Sequence, residues 1–180
     1  MAGVFKEAVL TAKGIALLAK AQAGIKLTKA ATGDGSYSDG EALTNRTALK
    51  SKKQEFALIT VTTQNQSNVY VKFIITNKQD TGNLKNGYYV KEVGIYAQDP
   101  DEGEILYALA VGVANQWDYM PAYNDLLPST ITMDFLTEVA NATDVTIVTP
   151  NSMYLYDQTT GDKYVLGVDK GLLYYEEVEE

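Results

Sequence analysis

The chain has 180 residues, 46% of them hydrophobic, and a formal net charge of −8. That length suits one compact domain with a small appendage, and the apolar fraction is enough for a real core. There is no Cys and no His. This excludes disulfides, thiolate nucleophiles and Cys- or His-ligated metals, and it removes the commonest general base. The expectation is a protein that is not an enzyme and carries no cofactor.

Charge is unevenly spread. Residues 1–53 hold nine Lys/Arg and four Asp/Glu, and residues 54–180 hold six and nineteen. Such a split fits different partners at the two ends, or head-to-tail contact between copies, and it fits plain solubility equally well. With an acidic total, a general nucleic-acid binder is not expected. No segment is apolar enough to span a bilayer. Lys13 and Lys20 interrupt the Ala-rich start, which is therefore not read as a signal peptide.

In chain order, Thr11 is placed to cap a helix that runs to about Ala23, with Gly24 ending it. Ala12, Ile15, Ala16, Ala19 and Ala23 form an apolar stripe with Leu18 beside it. Lys6, Lys13 and Lys20 repeat on another face, to be read as a solvated face or as a basic face for a partner or a membrane surface. Residues 25–32 alternate weakly as a strand. Residues 32–40 are a Gly-rich loop without the spacing of a phosphate cradle. Residues 41–53 are polar, with Lys50, Lys52 and Lys53 clustered and room for a short helix.

Strands are expected at 56–63 and 69–76, joined as a hairpin, then a polar loop at 77–86. Residues 87–113 carry the clearest signal. Tyr89, Val93, Ile95 and Ala97 share one face; Tyr88, Val90, Glu92 and Tyr96 share the other. Asp99, Pro100, Asp101, Glu102 and Gly103 make a turn, and residues 105–113 return as a second strand. Residues 116–128 are an irregular aromatic loop with Trp117, Tyr119 and Tyr123, either a partner patch or a cover for a sheet edge. Further strands are expected at 130–137 and 144–149. Residues 153–157, 163–168 and 172–177 form a three-stranded meander, too small to stand alone. The fold class is therefore α+β and mainly antiparallel β. It has one N-terminal helix, a six- or seven-stranded sheet or sandwich over 1–150, and a small C-terminal β-meander over 151–180 for oligomer or partner contact.

No catalytic constellation is found. Asp99, Asp101, Glu102 and Glu104 form a dense carboxylate cluster, and they lack the register of a calcium loop.

Three stretches carry a resemblance. They are L-T-A-K-G-I-A-L-L-A-K-A-Q-A-G at 10–24, A-T-G-D-G at 31–35 and Y-Y-V-K-E-V-G-I-Y-A-Q-D-P-D-E-G-E-I-L-Y-A at 88–108. With V-A-N-A-T-D-V-T at 139–146, the ordered set resembles the N-terminal, baseplate-attaching domain of phage tail fibre proteins, over roughly residues 4–150. The resemblance implies a virion structural protein of a phage or phage-tail-like particle, made in the bacterial cytoplasm and used as a trimer. It would connect a fibre or receptor-binding component to the baseplate. The family's long repetitive shaft is not seen, so an adaptor or truncated fibre is expected. The alternative is a carbohydrate-binding, receptor-binding module. Lys13, Lys20, Lys50, Lys52 and Lys53 are the baseplate-contact candidates. Trp117, Tyr119, Tyr123, Tyr154, Tyr156, Tyr174, Tyr175 and Val178 are the candidates for partner or oligomer contact.

Overall fold

The computed structural model describes residues 3–20, 25–63, 68–80, 82–138, 146–147, 153–156, 163–169 and 172–177; for Thr63 and from residue 138 onward it describes the backbone only. In chain order the elements are β1 (Val9–Leu10), α1 (Ala12–Lys20), β2 (Lys26–Gly33), a 3-10 turn at Leu43–Asn45, β3 (Lys52–Thr63), β4 (Asn68–Thr76), β5 (Tyr88–Val90), β6 (Glu92–Asp99) and β7 (Gly103–Val111). Then come β8 (Asp118–Met120), β9 (Thr130–Glu138), β10 (Thr146–Ile147), β11 (Met153–Tyr156), β12 (Lys163–Asp169) and β13 (Leu172–Glu177). Two units separate, Met1–Val148 and Thr149–Glu180.

In the first unit one sheet runs in the order β1-β7-β6-β2-β3-β4-β9. All of these pairings are antiparallel. The sheet curls until β1 and β9 come within contact of each other, so the architecture is one rolled sheet rather than two stacked ones. β10 adds a short parallel pair to β2, Thr146 beside Lys26 and Ile147 beside Leu27, an exception to the antiparallel expectation. β5 and β8 form a separate two-stranded ribbon. The second unit is the three-stranded antiparallel sheet β11-β12-β13.

The strands form because their apolar residues alternate. In β4, Val69, Val71, Phe73 and Ile75 are buried, while Tyr70, Lys72 and Ile74 between them are exposed. Val93, Ile95 and Ala97 of β6 and Ile105, Tyr107 and Ala108 of β7 join them in one core. Each such large apolar side chain contributes about 1.5–3 kcal/mol by leaving water. The β6–β7 turn closes as its residues suggest. Asp99 Oδ1 accepts the amides of Asp101 at 2.8 Å and Glu102 at 3.2 Å, and Gly103 takes φ +83°. The Asp99 carboxylate, considered above for calcium, is thus engaged by its own turn. Those amides hold its pKa below the usual carboxylate range.

Thr11 caps α1. Its Oγ1 accepts the Gly14 amide at 3.0 Å and donates to the Leu106 carbonyl at 2.5 Å. The expected apolar stripe is corrected, however. Gly14 and Leu17 are the buried residues, while Ala12, Ile15, Ala16 and Ala19 are exposed. A Cβ at Gly14 would collide with the Tyr107 carbonyl oxygen, so glycine lets the helix lie backbone to backbone on β7. That close approach fixes which side faces the sheet. The expected helix end at Ala23–Gly24 lies outside the described residues. Among those residues, no helix is long and apolar enough to cross a membrane.

Ile95→Ala is expected to destabilise the fold by about 2–5 kcal/mol through cavity formation, and Glu102→Ala by less than about 1 kcal/mol, both measured by urea unfolding. Gly14→Ala should also lose stability, although the same change in an isolated helix gains about 1 kcal/mol. Equal stability of the Gly14→Ala protein would show that α1 can lift off β7 freely.

Candidate functional site

The first residue of β6, Glu92, is fully buried. Its Oε1 accepts the amides of Gly35 at 3.0 Å and Ser51 at 2.8 Å; its Oε2 accepts the Lys50 amide at 2.9 Å and the Tyr37 hydroxyl. One carboxylate thereby ties both ends of the segment between β2 and β3 to the centre of the sheet. Glycine is required at position 35, where a Cβ would come within 2.5 Å of Glu92 Oε1. Burial, and then the hydrogen bond to Glu92, push the Tyr37 phenol well above its ordinary pKa. Nearby, the buried Tyr88 hydroxyl pairs with Thr32 Oγ1 at 2.5 Å and donates to Gln54 Oε1 at 3.1 Å. Burial raises its pKa to about 12.

Just before Glu92 the strand breaks and its faces exchange. Lys91 donates its amide to Gly33 O at 2.9 Å and accepts from the Gly112 amide at 2.8 Å. On its N-terminal side Tyr88 and Val90 are buried; on its C-terminal side Val93, Ile95 and Ala97 are. Tyr89, expected on the face of Val93, is instead 50% exposed. It stands on the β5–β8 ribbon with its ring centroid 5.0 Å from that of Tyr119 and 6.2 Å from that of Trp117, both tilted. Lys91 Nζ lies 4.6 Å from the Trp117 ring centroid, and Trp117 lies so close on Gly112 that a Cβ there would be 2.6 Å from its Cδ1. Tilted aromatic pairs and a cation over a ring each add roughly 0.5–1.5 kcal/mol. The result is a rigid, half-exposed aromatic patch. It borders a polar cleft of about 140 Å³ lined by Tyr37, Asp39, Glu41, Lys91 and Trp117 among others.

Of the residues singled out from sequence, Trp117 and Tyr119 meet in this patch. Tyr123 stands apart: its amide donates to Leu84 O at 2.8 Å, and Lys78 Nζ lies 5.7 Å from its ring centroid. Here the aromatic loop folds back on residues 77–86, pinned by the buried Asn77, which donates to Pro121 O at 3.1 Å and accepts the Ser129 amide at 2.8 Å. Tyr154, Tyr156, Tyr174 and Tyr175 lie on the edge strands β11 and β13 of the second unit. Val178 lies outside the described residues.

The lysines do not form one surface. Lys13 pairs with Glu102 at 2.5 Å and Lys20 with Asp101 at 3.0 Å, at the β6–β7 turn. Lys50 pairs with Glu41 at 2.6 Å, Lys52 with Glu55 at 2.5 Å and Lys53 with Asp34 at 3.2 Å. These last three lie by the Glu92 end of β6, the first two by its Asp99 end. Eight strand residues, about 25 Å, separate the two groups. Tyr89, Lys91 and Glu92 were not singled out as site residues. For Glu92 a signal existed: a carboxylate on a strand face otherwise made of Tyr88, Val90 and Tyr96.

The first unit is thus a rolled antiparallel sheet with one short helix, a pinned loop and an exposed aromatic patch. Among the described residues, no group of three or more carboxylates is arranged to hold a metal. The chain belongs to the family described as phage tail-collar fibre protein, N-terminal, whose model matches residues 1–172. No curated protein and no solved structure matches it. It is a structural component of a phage tail.

Replacing the Glu92 carboxylate by an amide turns an NH2 toward backbone N–H donors. Glu92→Gln is expected to cost about 1–3 kcal/mol and to speed hydrogen exchange at the Gly35, Lys50 and Ser51 amides. An ultraviolet phenol titration should show Tyr88 ionising near pH 12 and Tyr37 beyond its ordinary range. Both folded pKa values are raised, so the stabilisation is full below the unfolded tyrosine value of about 10 and is lost as pH rises from there through the folded values. The Tyr37→Phe protein should lose less stability over that alkaline window.

Proposed function

We infer that this protein is a connector, joining a fibre or receptor-binding component to the tail baseplate. The observation that carries this is the family match over residues 1–172. Support comes from the aromatic patch of Tyr89, Trp117 and Tyr119, which has the composition of an interface centre. In this reading the first unit meets the baseplate and the second, β11 to β13, receives the next component. Trimeric use follows from the same reading. A three-stranded sheet is marginal by itself, and association of copies is what would stabilise it in this reading.

The lysine candidates act here as steering charges. Lys13, Lys20, Lys52 and Lys53 are about half exposed in ion pairs, which are individually weak, so they exchange partners readily and are screened by salt. Holding falls to Trp117, Tyr119 and Tyr123, and to the tyrosines of β11 and β13 with Val178. A second reading, a saccharide-binding module, draws on the same aromatic patch beside a polar cleft.

Light scattering of the purified chain at micromolar concentration is expected to give the mass of three copies, and glycan arrays are expected to stay blank. A monomer that binds one saccharide and no tail protein would favour the second reading. Particles carrying a chain cut after residue 148 should retain it on the tail and lose the distal component. Particles lacking a truncated chain that is folded in solution would reverse the orientation.

A further inference from the structure

The rolled sheet does not close. Its first edge is the N-terminal segment, held to the end of β7 by the Phe5–Gly112 bridge and by Lys6 N to Val111 O at 2.8 Å. Its last edge is β9, which pairs with β4 over all nine residues, Asn68 beside Glu138 through Thr76 beside Thr130, and with no other strand among the described residues. Between the two edges lies a slot of about 540 Å³. Its walls are Phe5 to Ala8 on one side and every residue from 131 to 137 on the other. A wall made of consecutive residues is a strand seen edge-on, with unpaired amides and carbonyls. Val93 and Ala110 form the floor, and Ile131, Met133 and Phe135 of β9 face the core beside it.

We propose that this slot receives one extended segment of a partner protein of the tail, which adds to β9 as the missing strand. The walls select the occupant. Two backbone edges facing each other match the hydrogen-bonding groups of an extended peptide, and not those of a helix, whose groups are satisfied internally. An apolar floor below an open polar rim asks for alternating side chains, apolar inward and polar outward. The lining charges are Lys6 against Glu7, Asp118 and Asp134, so the outward residues should include Lys or Arg.

A second copy is disfavoured as occupant. Pairing β9 with β9 about a two-fold axis at mid-strand would set Asp134 opposite Asp134, which is repulsive. Asp134 is itself a half-exposed residue whose only ion pair among the described residues is a loose one with Lys72 at 3.7 Å, so it can answer a basic residue on an incoming strand. The choice of a tail protein as partner rests on the proposed connector role; the slot and its selectivity do not.

The test uses the full chain and two pools of nine-residue peptides. Both alternate Val, Ile, Leu or Tyr with Thr or Ser; one carries two Lys at polar positions where the other carries two Glu. The lysine pool is expected to slow amide exchange at residues 131–137 about tenfold, and the glutamate pool far less. In the Asp134→Lys protein, shown to be folded by circular dichroism, that order should reverse. No slowing by either pool, or equal slowing by both in both proteins, would overturn the proposal. So would strong protection of residues 131–137 in the protein alone that disappears on dilution to the monomer, which would make the slot an interface between copies. None of these outcomes bears on whether the chain sits on a tail, which the truncated particles decide.

Discussion

The geometry of the first unit depends on one buried carboxylate. A charge removed from water without a cation beside it is costly. Glu92 is tolerable because three amides and a phenol converge on its two oxygens. The dependence runs both ways. The carboxylate needs residues 35, 37, 50 and 51 in place, and those residues, drawn from a largely polar and irregular segment, are ordered by it together with the buried Leu49, the Lys50–Glu41 pair and the Asp34 amide on Ser51 O. The segment in turn supplies Tyr37 and Glu41 to the cleft beside the aromatic patch. A single side chain at a strand end therefore couples the core of the sheet to the shape of its surface.

The division of labour between charge and apolar contact follows from exposure. The ion pairs that knit α1 to the β6–β7 turn, and β3 to β2 and the residue after it, lie at or near the surface and contribute little each. They nevertheless neutralise the positive clusters that stand out in the N-terminal third of the sequence. The aromatic patch differs. Trp117 is seated on a glycine and Tyr89 is flanked by two rings, so little rotamer freedom remains to be lost when a partner covers them.

Much of the fold is legible in the sequence because the signals are local. The central hairpin announces itself by alternation and by an Asp-Pro-Asp-Glu-Gly turn, and Thr11 by its place before an apolar run. What escapes is non-local. The exchange of faces at Lys91 is a one-residue slip, visible only once β5 is seen to pair with β8 and β6 with β7. The side of α1 that packs is chosen by a glycine's fit to a carbonyl 93 residues later, and not by the larger apolar stripe. β3 begins four residues earlier than its apolar run because Lys52 and Glu55 extend it through pairing with β2. The same limit applies to the site. Trp117 and Tyr119 stand out as aromatics in a loop, but Tyr89 and Lys91 join them only through the ribbon. Counting lysines along the chain could not reveal that Lys13 and Lys20 already have carboxylates from the β6–β7 turn, or that Lys53 has one from Asp34.

The two-residue β10 gives the fold a mechanical character. Among the described residues it is the last strand of the first unit and lies parallel to β2, a central strand, through Thr146 and Ile147. A pull arriving along the chain from beyond residue 148 is met there before it reaches the nine paired residues of β9 and β4. Two strand pairs yield at low load, while nine loaded together resist as a block. The domain thus has a short sacrificial link in series with a strong one. Releasing it lengthens the tether by several residues and leaves the rolled sheet, its buried carboxylate and its aromatic patch intact.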